Sequence, residues 1–326
     1  MAKRYKMDIH LCLSHILNEF PDITENHILS KTSKIKTRRA LKETLIFMEE
    51  HQIIMNPHLY IRNCGGYSNH YVMAKVKNWK DMYERIICRN WEVIDSAFYI
   101  RSWKKNRLAY LKYHNTLERE PHDILEEGPI DYLCIIHPQC TADQKIKNVE
   151  LEPDKKSQML PDRLNKKFDW DYDTKQVFWW LRINYRMSLI QIARQIEVSR
   201  TTIRRKKRLI EEFSYIHYPT FIHSRPNYTG ILSSFCTEYP EYLKKIFQNL
   251  SATCYLFGNQ DRTLCFINTT HPSYVNNVLE ELEQRSIIED LNTEITVRGW
   301  NRIDDEYRLG RIPEKVFWMF RRKKRK

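Results

Sequence analysis

The sequence predicts an α+β protein with two winged helix-turn-helix units and two ferredoxin-like βαββαβ units, arranged in tandem. In each half, apolar residues first recur at helical spacing in three short segments and then change to the spacing of strands. The two halves also align at an offset of 162 residues, which places Thr37 opposite Ser199 and Pro57 opposite Pro219. Because helix caps, apolar positions and a proline agree, the alignment indicates a duplicated unit.

The helix-turn-helix of the second half is predicted from three consecutive helical segments. Ser188 and Ser199 are N-cap residue types that stand before the second and third of these helices. The third helix places Ile203 and Ile210 on one apolar face, and Lys206 falls on the same face, so its charged end is expected to reach outward. The short turn before the third helix predicts a helix-turn-helix, and the proline-punctuated strands that follow predict its wing.

Both halves continue with a βαββαβ pattern, which predicts a ferredoxin-like unit. In the second half the predicted elements are strand 228–236, helix 238–249, strands 251–258 and 262–270, helix 271–285 and strand 286–297. In the first half they are strand 70–76, helix 78–89, strands 93–102 and 106–115, a helix near 116–127 and strand 129–136.

The predicted domain boundaries follow from these elements. They are 1–64 and 171–226 for the winged helix-turn-helix units, 65–136 and 227–300 for the ferredoxin-like units, 137–170 for a polar linker and 301–326 for a basic tail. The two ferredoxin-like units are expected to pair within the chain as a pseudo-dimer, and further association into a homo-oligomer is compatible with the sequence.

The charge balance predicts a polyanionic partner. The formal net charge is +13, of which six positive charges lie in the terminal run RRKKRK, so the body is basic without its tail. No apolar stretch reaches the length of a membrane span, and no secretory signal is expected, so the predicted location is the cytoplasm. The eight cysteines stand singly without any CxxC pair, which favours a reduced protein without a metal or other cofactor.

Two motifs of the second half resemble a known family. "SLIQIARQIEVSRTTIRRKKRLIEE" (188–212) is similar to the helix-turn-helix of the Lrp/AsnC, or feast/famine, transcriptional regulators of archaea and bacteria. "FGNQDRTLCF" (257–266) is similar to the G-x-x-D signature between the second and third strands of that family's effector (RAM) domain. The order of a winged helix-turn-helix followed by βαββαβ also fits this family, once in each half.

The resemblance implies a DNA-binding regulator that pairs through its effector domains and responds to an amino acid or another small effector. It places the effector at Gly258 and Asp261, because these residues match the signature. The first half has SWKKNRLAY (102–110) at the corresponding place, without the glycine and the aspartate. We therefore expect an effector site only in the second half. Since glycine and aspartate also favour turns, a turn without a ligand is the alternative.

The third helix of each helix-turn-helix is the candidate contact with double-stranded DNA, because such a helix presents its N-terminal residues to base edges and its lateral cations to phosphates. In the second half the candidates are Ser199, Arg200, Thr201, Thr202, Arg204, Arg205 and Arg208. In the first half they are Arg38, Arg39 and Lys42, which are mixed with glutamates. A solvated charged face is the alternative for the second-half helix, and a scaffold role is the alternative for the first-half helix.

The predicted function is thus a transcriptional regulator without enzymatic activity, and no catalytic residues are expected. The first alternative is an enzyme on the same architecture, because Lrp-like chains are also known as siroheme decarboxylases, so family membership does not settle function. The second alternative is a protein–protein adaptor.

Overall fold

The computed structural model describes residues 2–55, 57–87, 94–101, 107–117, 121, 123–143, 153, 156, 157, 159, 161–168, 171–183, 185 and 187–301. Its helices are α1 Ala2–Glu19, α2 Glu25–Lys31, α3 Arg38–Glu50, α4 Trp79–Asp81 (continued by a π-helical segment, Met82–Ile87), α5 Tyr172–Ile183, α6 Leu189–Ile196, α7 Arg200–Glu212, α8 Pro240–Phe247 and α9 Pro272–Gln284. Its strands are β1 His58–Ile61, β2 Asn63–Gly65, β3 Asn69–Lys75, β4 Ile94–Arg101, β5 Arg107–His114, β6 Ile124–Pro129, β7 Tyr132–Ile136, β8 Arg163–Lys167, β9 Ser214–His217, β10 Thr229–Cys236, β11 Cys254–Gly258, β12 Thr263–Thr269 and β13 Glu289–Asn301. This mixture of helices and paired strands confirms the predicted α+β class.

The starts of three helices are fixed by the caps that the sequence predicts. Thr37 accepts a hydrogen bond from the backbone N–H of Ala40 at the start of α3, and Ser199 accepts one from that of Thr202 at the start of α7. Ser188 caps α6 in a capping box with Gln191. Each cap satisfies backbone donors that the first helical turn leaves without a partner.

The wings are exchanged between the two halves. β1 of the first half pairs antiparallel with β9 of the second half, with His58 opposite His217. The prediction of a wing formed within one half is therefore wrong. The physical reason lies in burial, because the exchange places Leu59 and Ile61 in the core of the second helix-turn-helix unit and Tyr218 in the core of the first.

The ferredoxin-like units combine into one nine-stranded sheet in the order β6-β3-β5-β4-β13-β10-β12-β11-β7. The long strand β13 pairs with β10 of its own half up to Ile295, and then with β4 of the first half from Thr296 onward. On the other side, β7 of the first half pairs with β11 of the second. Strands of both halves share an apolar core, in which Tyr110 and Phe257 pack.

Two regions differ from the sequence prediction. A helix was expected at 116–127, but residues 124–127 belong to β6, and residues 116, 117, 121 and 123 are not helical. Residues 118–120 and 122 of that prediction lie outside the described residues. The predicted linker 137–170 contains β8, which pairs in parallel with β2, so it is not structureless throughout. The side chain of Asp143 in this linker accepts hydrogen bonds from the backbone N–H groups of Ser251 and Thr270, which attaches it to the second ferredoxin-like unit.

Within the described ranges, no helix is both long and apolar enough to cross a membrane. Residues 302–326, which include the basic run of the predicted tail, lie outside the described part of the chain.

Candidate nucleic-acid interface

The inner face of α7 fixes this helix to the rest of its unit. Ile203 and Ile210 are fully buried, in a core that also contains Trp180 of α5. Lys206 lies between them and is 7% exposed, and its Nζ donates to the carboxylate of Asp171. The lysine predicted to reach outward thus ends in an ion pair at the start of α5, and this pair lowers the pKa of Asp171 to about 2.

A contact between the two helix-turn-helix units also involves α7. Lys207 donates to the carboxylate of Asp22 in the first unit, at 2.6 Å, and its ammonium lies 4.3 Å from the ring centroid of Tyr185. The Tyr185 hydroxyl in turn donates to Glu211 at 2.5 Å. A cleft of about 320 Å³ opens beside these residues and is also lined by Arg204. This contact has no signature in the sequence, because Asp22 and Lys207 are separated by 185 residues.

The outer face of α7 carries the predicted second-half residues. Arg200, Arg204, Arg205 and Arg208 are exposed, and none of them has an ion-pair partner among the described residues. Thr201 is also exposed, whereas Ser199 and Thr202 bond to each other in the cap, with 2.9 Å between their hydroxyl oxygens. The structure therefore exposes all four arginines on the outer side of α7, within the first nine residues of the helix.

The first-half candidates have carboxylate partners. The Nε of Arg38 donates to Glu25 of α2 at 2.6 Å, and the Nε of Arg39 donates to Glu43 at 2.9 Å. Lys42 is exposed. The corresponding outer faces of α3 and α7 therefore differ in their charge, although both helices begin with a side-chain cap.

The two predicted effector residues occupy different surroundings. Gly258 is buried with a φ of +150°, and a Cβ at this position would lie 2.1 Å from the backbone oxygen of Arg262. Asp261 is exposed, and its backbone N–H donates to the Asn259 side chain at 2.9 Å. The turn brings the backbone of Arg262 so close to residue 258 that a side chain does not fit there, which explains the glycine without a ligand. An effector site at these residues stays a prediction, and residues 102–106 of the first-half counterpart lie outside the described part of the chain.

A group of histidines lies where the exchanged wings meet the large sheet. The Nε2 atom of His217 is 3.0 Å from the hydroxyl of Tyr255, and its ring stacks on Tyr60 with 5.5 Å between centroids. His137 packs at 6.1 Å from His217. Burial lowers the pKa of His137 to about 4 and that of His217 well below its ordinary value. Across the described residues, no three His, Cys, Asp or Glu side chains are placed to hold a metal ion.

Comparison with known proteins returns matches among solved structures. No family model and no curated protein matches the sequence. The crystal structure of the siroheme decarboxylase NirDL is similar over 90% of this chain and 91% of its own, with 8% identity and a TM-score of 0.47. NirDL in co-complex with an iron-uroporphyrin III analogue is similar over 91% and 96%, with the same identity and TM-score.

These matches correct one prediction from the sequence. The prediction of a protein that is not an enzyme is contradicted, since both structures are of an enzyme whose fold this chain resembles. At 8% identity the likeness concerns the fold alone, and no substrate or active-site residue is transferred from it to this chain.

Proposed function

We propose that this protein binds double-stranded DNA and regulates transcription, with α7 lying in the major groove. The observation that carries the proposal is the outer face of α7, on which four exposed arginines stand without carboxylate partners among the described residues. Arg200, Arg204 and Arg208 follow one another at intervals of four residues. They therefore lie on one side of the helix and span about 12 Å along its axis, so a single face of the helix would present all three to a groove.

The spacing of these arginines is unfavourable for an isolated helix. Like charges four residues apart destabilise a helix by about 0.2–0.5 kcal/mol for each pair, and Arg200, Arg204 and Arg208 form two such pairs. A helix selected only for solubility would place glutamates between these cations. DNA phosphates would relieve the repulsion, and the release of their counterions would favour binding. Local sequence rules are broken in this way at functional sites.

Arginine is also the side chain suited to this surface. Its guanidinium can donate two hydrogen bonds to guanine O6 and N7, or two to a phosphate. In this proposal Arg200 and Thr201, which are exposed at the N-terminal end of the helix, contact base edges, and the exposed Arg205 and Arg208 contact phosphates. Modulation by a small effector, such as an amino acid bound near Gly258 and Asp261, is part of this proposal.

The test compares two variants that each lose two positive charges. The selected DNA site is first obtained from a random pool with the full chain, and its affinity is then measured by fluorescence anisotropy at 150 mM salt. Arg200→Ala with Arg204→Ala should weaken specific binding by at least about 30-fold, since each bidentate contact to a base is worth about 1–3 kcal/mol. The control is Lys244→Ala with Lys245→Ala on α8 of the second ferredoxin-like unit, which should retain the affinity. Equal affinities for the selected site in both variants would show that α7 does not read it.

A further inference from the structure

The duplicated sequence suggests two DNA-reading helices in each chain, and hence two equivalent half-sites for one chain. The charges of α3 and α7 do not support two equivalent half-sites, because the two helices differ in composition. α7 contains six basic and two acidic residues, whereas α3 contains three of each. At the offset of 162 residues, Glu43 stands where α7 has Arg205, and Ile46 stands where α7 has Arg208. The lateral cations that would hold a helix against phosphates are therefore absent from the corresponding positions of α3.

The arginines that α3 does have lie beside carboxylates. Arg38 and Arg39 occupy the first turn, where a recognition helix presents side chains to base edges. Both are bonded through Nε to a glutamate, Arg38 to Glu25 and Arg39 to Glu43. Such exposed ion pairs are weak, so the bonds alone would not prevent DNA binding. The two carboxylates would nevertheless lie close to the phosphates of any DNA that approached this face, and the resulting repulsion would oppose binding.

The first helix-turn-helix unit makes polar contacts that position parts of the second unit. Its Asp22 bonds to Lys207 of α7. Its Asn18 accepts from the backbone N–H of Tyr218 at 2.6 Å and donates to the carbonyl oxygen of the same residue at 3.1 Å. The side chain of Tyr218 also completes the apolar core of the first unit. Both α7 and the segment that follows β9 are thus positioned by the first unit.

We infer that each chain reads a single DNA half-site through α7 alone, and that α3 takes no part in base recognition. This inference rests on the proposed DNA binding and adds to it the form of the DNA partner. One chain fits one asymmetric half-site, and a symmetric site would require two chains.

The experiment uses substitutions at positions that correspond in the two halves. Arg38→Ala with Lys42→Ala in α3 is matched to Arg200→Ala with Arg204→Ala in α7, at the same offset of 162 residues and with the same loss of charge. All four side chains are exposed, so the variants are expected to fold. Affinity for the selected site should change by less than about 3-fold for the α3 variant and fall at least about 30-fold for the α7 variant. Sedimentation analysis on a duplex with one half-site should give one chain for each duplex.

The outcomes separate this inference from the proposal beneath it. If the α3 variant loses as much specific affinity as the α7 variant, or if one chain occupies two equivalent half-sites, the inference is overturned while the proposed DNA binding stands. If the random pool yields no enriched sequence and the full chain does not bind duplex DNA, both are overturned.

Discussion

Replacement of Asp171 by asparagine tests whether the ion pair beneath α7 stabilises the protein. Asp171 accepts hydrogen bonds from the ammonium of Lys206 and from the backbone N–H of Thr174, the latter at 2.8 Å. Asparagine is as good an N-cap residue as aspartate, so Asp171→Asn retains the cap of α5 and removes only the charge. The ammonium of Lys206, whose side chain is 9% exposed, then loses its anionic partner.

The size of the effect follows from the pKa of Asp171. A decrease from 3.8 to about 2 corresponds to roughly 2.4 kcal/mol, at 1.36 kcal/mol for each pKa unit. Because the carboxylate is 44% exposed, solvent screening reduces this value, and we expect Asp171→Asn to lower the free energy of unfolding by about 1–1.5 kcal/mol at pH 7. The folded-state pKa is below the unfolded-state value, so this contribution is present above pH 3.8 and is lost as the pH falls from 3.8 toward 2.

A double-mutant cycle with Lys206→Met isolates the pair. Methionine keeps the apolar stem and removes the ammonium, and Asp171 can then be solvated, so Lys206→Met should cost less than about 0.5 kcal/mol. In the Lys206→Met background, Asp171→Asn should have almost no effect. The assay is urea unfolding followed by tryptophan fluorescence, to which Trp180 of the same core contributes. An equal cost of Asp171→Asn in both backgrounds would refute the reasoning.

Two further predictions concern stability. Gly258→Ala should lower the free energy of unfolding by more than about 2 kcal/mol, because its Cβ would lie 2.1 Å from the backbone oxygen of Arg262. Gly66→Ala, where φ is +87° and the surrounding space is open, should lower it by only about 1 kcal/mol. The urea midpoints of the two variants test this difference, and equal costs would contradict it. The folded-state pKa of His137 is about 4, below its ordinary value of 6.5. The stability that depends on its neutral form is therefore fully present above pH 6.5 and is lost as the pH falls toward 4. His137 should thus account for about 1–2 kcal/mol of the loss of unfolding free energy between pH 7.5 and pH 5, so this loss should be smaller by that amount in His137→Gln. An identical pH profile in that variant would show that His137 does not contribute.

The sequence is informative where structure depends on neighbouring residues. The caps Thr37, Ser188 and Ser199 act within three residues of their own position, so they could be predicted. The ion pair between Arg39 and Glu43 follows from the spacing of four residues in a helix. The same local rules identify the buried face of α7 and leave the arginines on its outer face.

The parts that depend on distant residues could not be predicted. The pairing of β1 with β9 joins segments that are far apart in the sequence, and each segment alone is compatible with a wing in its own half. The segment ILEEGP that forms β6 has little strand character and, among the described strands, lies at the edge of the sheet beside β3. The partners of Lys206 and Lys207 are likewise set by tertiary contacts, which decide that these two cations face inward while the neighbouring arginines remain on the surface.

The exchange of the wings has a consequence for the newly synthesised chain. The first helix-turn-helix unit lacks part of its core until Tyr218 leaves the ribosome, about 160 residues after β1. At a synthesis rate of about 5–20 residues per second, this interval lasts roughly 8–30 s. The apolar side chains of Leu59 and Ile61 on β1 likewise have no partner surface until α5 to α7, which supply their core, have been made. The growing chain therefore exposes an apolar segment that chaperones would have to shield, and a protein truncated before α5 would keep this segment exposed.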